Sequence, residues 1–202
     1  PKKNQRKSTT DWSSATTANG LQDIEDTVVA ASAEGVTIRY VVMHVADFSL
    51  LKKQKSTFDT LKAWVNSSSK ILVTKNLINE YLAEQEIPVK IITVNPAVRI
   101  EDRAHRRKTI NPWERKRVCF LEDLKVGDIQ HGPIAAESSA TLQKIALMVK
   151  QDCILVTKWS ELEPFKEWTK AEANAIPVVN DPDAMFIMKV DGKDWNASED
   201  TE

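Results

Sequence analysis

The sequence is short of the residues from which catalytic and cofactor motifs are assembled. Only 5 of its 202 residues are glycine. Gly20, Gly35, Gly127, Gly132 and Gly192 are scattered, so neither a phosphate-cradling loop nor a dinucleotide fingerprint can be built from them. The 3 histidines, His44, His105 and His131, lie far apart without a ligand-spaced cysteine or carboxylate beside them. A zinc site needs a closed set of ligands, so each reads as an ordinary core or surface residue. No serine sits in a nucleophile elbow, and Cys119 has no candidate base near it in sequence. No catalytic residue, cofactor or metal is therefore read from the chain.

Other absences narrow the class further. No apolar run approaches the roughly 20 residues of a membrane helix, and the basic, polar first residues lack the apolar stretch of a signal peptide. The reading is of a soluble, unexported protein with no membrane partner. The 2 cysteines, Cys119 and Cys153, sit inside apolar strand-like runs, which favours buried free thiols over a disulfide. A net charge of −1 and a pI near 6.4 create no global field for nucleic acid or anionic lipid. No repeat period is visible, so solenoids and propellers are not expected.

What is present is material for a core: 42% hydrophobic residues against 28% charged. Pro1 to Thr10 carries Lys2, Lys3, Arg6 and Lys7 with hardly an apolar group. It is expected to be a mobile basic arm, and the tail from Asn196 to Glu202 likewise. From Asn19 to Gly35, Leu21, Ile24, Val28 and Ala31 recur at helical steps, with Gln22, Asp23, Glu25 and Asp26 on the other faces. Asn19 suits the N-cap and Gly35 the left-handed end.

Val36, Ile38, Tyr40 and Val42 alternate with Thr37 and Arg39 as a strand entering a covered sheet. Ser49 to Val65 reads as one helix, and Leu77 to Leu82 as another that Asn76 can cap. Val89 to Val94, Val118 to Leu121, Cys153 to Val156, Pro177 to Val179 and Ala184 to Val190 read as strands. The segment Glu161 to Asn174 fits a helix or a strand equally by period. Asn180, Asp181, Pro182 and Asp183 form a turn; Asp181 and Asp183 are turn residues rather than a carboxylate pair.

One charged feature stands apart. Arg99 to Arg117 carries Arg103, Arg106, Arg107, Lys108, Arg115 and Lys116 with Trp113 among them, and Asn111-Pro112 fits a turn between two hairpin arms. Such a stretch can be a solvated hairpin tip or a contact with an acidic surface on a neighbouring copy. It can also be a nucleic-acid grip in which Trp113 stacks a base. That last use defines the alternative function, a nucleic-acid-binding module acting through segment 99–117 together with Lys2 to Lys7.

The order of these features resembles a tailed-phage major capsid protein of the lambda-type capsid E family. The resemblance covers Asp11 to Gly192. It rests on Asn111-Pro112 leading into Arg117-Val118-Cys119-Phe120-Leu121, Gly127 followed by His131-Gly132-Pro133, and Glu163-Pro164 leading to Ile176-Pro177-Val178 and Asp181-Pro182-Asp183-Ala184. It implies an α+β fold of the Hong Kong 97 type, with a peripheral domain built on a spine helix and an axial domain built on a central sheet.

The implied segments are a basic arm at 1–11, the spine helix at 12–35, the axial domain at 36–132, peripheral return strands at 133–176, final axial strands at 177–192 and a tail at 193–202. The resemblance also makes Phe165 to Ala175 a strand. There is no room before Asp11 for the family's N-terminal arm and extended loop, so a C-terminal fragment or cleaved form is expected. The implied function is a head subunit, not an enzyme, that self-assembles into a DNA-enclosing shell. Its partners are copies of itself, scaffolding or head-decoration proteins, and enclosed DNA by non-specific contact, in a virion assembled in the bacterial cytoplasm. Arg103, Arg106, Arg107, Lys108 and Trp113 are the expected subunit contacts.

Overall fold

The structure, a computed structural model, describes residues 2–66, 71–101, 106–134, 147–151, 153–162 and 165–195. In chain order its regular elements are β1 (Gln5–Lys7), α1 (Gly20–Ala33), β2 (Tyr40–His44), α2 (Val45–Lys53), α3 (Lys55–Val65), α4 (Lys75–Glu84), β3 (Lys90–Val94) and β4 (Val98–Glu101). They continue with β5 (Arg107–Ile110), β6 (Arg117–Leu121), β7 (Gly127–His131), β8 (Leu147–Gln151), β9 (Ile154–Leu162), β10 (Phe165–Ala173), β11 (Ala175–Val179) and β12 (Met185–Lys189). The chain divides into one unit of Pro1–Leu124 with Asp181–Glu202 and another of Lys125–Asn180.

The first unit is organised by a five-stranded sheet of order β1-β12-β6-β2-β3. Register lines its apolar residues up in rows. Ile91, Val41, Phe120 and Phe186 face one another across four strands, and Met43, Val118 and Met188 form the next row. All seven are buried and belong to one core with Ile24 and Ala31 of α1, Phe48 and Leu51 of α2, Leu61 of α3, and Ile78 and Leu82 of α4. Sheet and helices thus share the apolar surface whose removal from water drives the fold. α1 packs in the same unit as the five-stranded sheet.

Several local expectations change. Asn19 makes no side-chain cap. The free N–H of Gly20 is taken instead by Gln54 Oε1 at 2.7 Å, and a Cβ on Gly20 would lie 2.5 Å from Leu51 Cδ1. Gln54, fully buried and extended at φ −68°, ψ 133°, splits the expected Ser49–Val65 helix into α2 and α3. Thr74, not Asn76, caps α4 by accepting from Leu77 N at 3.2 Å. The strand after α1 begins at Tyr40 rather than Val36, although Arg39 N already bonds Leu121 O.

Asp23, assigned to the wet face of α1, is buried. It accepts from Thr9 N at 3.0 Å, Thr9 Oγ1 at 2.9 Å and Trp12 Nε1 at 2.8 Å. The basic start of the chain is likewise not a free arm. β1 pairs in parallel with β12, Asn4 Nδ2 donates to Asp183 O and Met185 O, and Trp195 Nε1 donates to Arg6 O at 2.6 Å. Trp195, read as part of a mobile tail, is therefore part of the fold; residues 196–202 lie outside the described residues. The Asp181 turn is as expected, with Oδ1 accepting from Asp183 N and Ala184 N.

The second unit contains a three-stranded antiparallel sheet, β10-β9-β8, and a ribbon of β7 with β11. Phe165 to Ala173 is a strand. Nine cross-strand pairs with β9 decide this, among them Trp168 opposite Trp159 with ring centroids 6.4 Å apart. A helical stripe would have turned Phe165 inward, yet it is 73% exposed. Cys153, expected to be buried, is an exposed free thiol in the left-handed region at φ 65°, just before β9; Cys119 is free and half-buried.

Candidate functional site

The basic stretch folds as a ribbon standing on a paired base. β4 and β5 are antiparallel, with Val98 opposite Ile110, Arg99 opposite Thr109, Ile100 opposite Lys108 and Glu101 opposite Arg107. Opposed residues share a face. One face therefore carries Val98, Ile100, Lys108 and Ile110, and the other Arg99, Glu101, Arg107 and Thr109. Every residue of both strands is exposed, and no third strand pairs with either among the described residues. An isolated two-stranded ribbon has open edges on both sides and little stability of its own.

Asn111-Pro112 lies at the foot of this ribbon rather than at its turn, since the arms face each other across Glu101 and Arg107. Asn111 approaches His44 Nε2 at 2.8 Å and accepts from Trp113 N at 3.0 Å. His44 in turn accepts from Ala46 N through Nδ1 and caps α2. Asp47, fully buried in the first turn of α2, holds the next residues. Its Oδ1 accepts from Arg115 Nε at 3.2 Å and Nη2 at 3.0 Å, and its Oδ2 from Lys116 N at 3.0 Å.

Lys116, itself left-handed at φ 62°, reaches Asp11 Oδ2 at 3.1 Å. Burial raises the Asp11 carboxyl, but hydrogen bonds from Ser13 N and Oγ and the Lys116 ammonium outweigh it and hold the group below its ordinary value. Arg117 bridges Glu114 at 2.9 Å and lies over the Trp195 ring at 4.5 Å.

The structure thus divides the predicted contact residues. Arg107 and Lys108 stand on β5, with Arg106 exposed immediately before it, and no ion pair reaches any of these three among the described residues. Arg103 lies outside the described residues. Trp113 is half-buried, with its indole N–H on Arg117 O at 3.3 Å, a position that serves the base of the ribbon. Asp47, Asp11 and His44 escaped sequence reading, because each lies more than sixty residues from its partner in the stretch. The one signal was Asp47 itself, an acid in the first turn of a helix where the dipole favours negative charge.

The fold has recognisable relatives among solved structures. It matches a candidate capsid protein of a prophage from E. coli CFT073 with a TM-score of 0.59 at 15% identity, over 94% of this chain and 53% of that one. It matches a phage-related protein from Bordetella bronchiseptica RB50 with a TM-score of 0.51 at 13% identity, over 94% of this chain and 57% of that one. The fold is α+β and phage capsid-like. At these identities the likeness establishes the fold alone, and the chain spans about half the length of the structures it matches. No protein-family model matches the sequence, and neither does any curated protein.

Proposed function

We propose that the protein is a major capsid subunit of a tailed phage or prophage, of the lambda-type capsid E family and the Hong Kong 97 fold, which joins copies of itself into a DNA-enclosing shell in the bacterial cytoplasm. The observation that carries this reading is the match of 94% of the chain to a candidate prophage capsid protein. The surface supports it. A shell subunit works through many modest interfaces between copies, and among the described residues this chain presents a bare ribbon and open strand edges suited to such interfaces.

In this reading α1 is the spine helix, and the five-stranded sheet is the centre of the axial domain, to which β12 returns. Residues 133–176 supply the peripheral return strands. Arg106, Arg107 and Lys108, joined by Arg103 of the same segment, form the contact near the capsomer axis, pairing with acids on the adjacent copy. Scaffolding or decoration proteins and non-specific contact with DNA complete the set of partners.

The nucleic-acid module is less well supported. Lys3, Arg6 and Lys7 pair with Asp183, Glu34 and Asp194, and Arg115, Lys116 and Arg117 with Asp47, Asp11 and Glu114. Of the cations that reading uses, Arg106, Arg107 and Lys108 are left unpaired among the described residues, a short patch on one ribbon rather than a track along a phosphate backbone. Electron microscopy of the full-length protein after expression tests the proposal: closed particles are expected. Alanine at Arg106, Arg107 and Lys108 together should reduce particle yield at least tenfold while leaving the circular dichroism of the subunit unchanged. Particles formed at the wild-type yield by that variant exclude the ribbon as a contact; no particles from the parent protein sink the shell reading.

A further inference from the structure

We propose that the outer edge of β10 pairs with the same edge of a second copy about a two-fold axis centred on Thr169, joining two three-stranded sheets into one of six strands. This deepens the shell reading and rests on it for the identity of the partner. Among the described residues β10 is the end strand of its sheet, nine residues long, with every residue except Glu172 exposed. A strand of this length with free N–H and C=O groups is a template for another strand.

The residues along that edge specify the partner and the register. A two-fold axis perpendicular to a sheet pairs antiparallel strands so that each residue keeps its face. Thr169 is the midpoint of Phe165–Ala173, so centring there gives full overlap. It sets Lys166 opposite Glu172, Trp168 opposite Lys170 and Phe165 opposite Ala173, each twice.

Within one chain, Lys166 has no ion pair among the described residues. Glu172 pairs with Lys170 through Oε1, while its buried Oε2 has no hydrogen-bond partner. The partner's Lys166 would supply one. Phe165 and Trp168, 73% and 46% exposed, gain cover from a small residue and an ammonium respectively. Moving the centre by one residue, to Trp168 or Lys170, sets lysine against lysine and shortens the overlap. Such like-charge opposition is unfavourable.

The register makes a sharp test. Across the axis Thr169 lies opposite its own copy, within the roughly 4.5–5.5 Å Cα separation of antiparallel partners that a disulfide spans. Residue 167 would be displaced from its own copy by four residues, about 13 Å along the strand. In a Cys153→Ser background, Thr169→Cys is expected to form a disulfide-linked dimer under mild oxidation at least tenfold faster than Glu167→Cys.

The charge swap Lys166→Glu should reduce dimer formation at least tenfold, and Lys166→Glu with Glu172→Lys should restore it. Circular dichroism of each variant confirms that the fold is retained. Equal crosslinking at 167 and 169, or no rescue by the double swap, overturns the edge pairing. If closed particles are still seen by electron microscopy, the shell reading survives that result. If neither crosslinks nor particles form, both fall.

Discussion

Replacing Asp47 by asparagine tests whether the foot of the ribbon is held as described. The carboxylate is fully buried, and three N–H groups converge on its two oxygens. Asparagine keeps one oxygen. If that oxygen faces Arg115, the new NH2 group confronts Lys116 N–H, and two donors are buried against each other. Loss of the charge-assisted bonds is worth about 1.5–3 kcal/mol, and the unsatisfied donors cost about 1–3 kcal/mol. Removing negative charge from the first turn of α2 adds up to about 1 kcal/mol.

Arg115 is half exposed, so water recovers part of its loss, and the net cost should be about 3 kcal/mol. This is a large share of the stability of a typical domain. All helices among the described residues lie before Leu124, so urea unfolding followed at 222 nm reports on the first unit. With a slope of about 2 kcal/mol/M, the midpoint should fall by roughly 1.5 M. A double-mutant cycle with Arg115→Ala should return a coupling of at least about 1 kcal/mol. An Asp47→Asn variant within about 0.5 kcal/mol of the parent, or strictly additive single effects, would refute this account of the base.

Three further outcomes follow from particular contacts. Gly20→Ala gains about 0.5–1 kcal/mol of helix propensity. Its Cβ would meet Leu51 Cδ1 at 2.5 Å and Gln54 Oε1 at 2.9 Å, so overpacking of about 1–3 kcal/mol should win and thermal denaturation should show a net loss. Burial pushes the Cys119 thiol up to about 11, whereas Cys153 is exposed. At pH 8 a disulfide reagent should label Cys153 within minutes and Cys119 only on unfolding, and equal rates would contradict the burial. The depressed Asp11 carboxyl contributes stability that is fully present above its ordinary value of 3.8 and is lost as pH falls through the lower folded value. Asp11→Asn, on a partly exposed pair, should therefore cost at most about 1 kcal/mol at pH 7, and its urea midpoint should converge with the parent's in acid.

Legibility in the sequence tracked the distance between partners. The stripe of α1, the left-handed Gly35 and the Asp181 turn each involve residues within a few positions of one another, and all three appear as the local pattern implies. Trp12 and Asp23, eleven positions apart, were already missed. β1 was invisible because nothing in Gln5-Arg6-Lys7 is apolar. Its order comes from Asn4 and Arg6 meeting Asp183, Met185 and Trp195 at the other end of the chain.

The basic stretch was visible as one block, but composition cannot say which cations are matched. Arg115, Lys116 and Arg117 find carboxylates inside the chain, while Arg106, Arg107 and Lys108 do not among the described residues. The same partition applies to β10, where Lys158 matches Glu167 and Lys170 matches Glu172, but Lys166 and the second oxygen of Glu172 are left over among the described residues. Internal pairing consumes the charges that set the fold. On β10 alone are the leftover groups of opposite sign, so that under the proposed edge pairing the Lys166 of one copy meets the Glu172 of the other, whereas the leftover ribbon cations need an acidic partner surface from elsewhere.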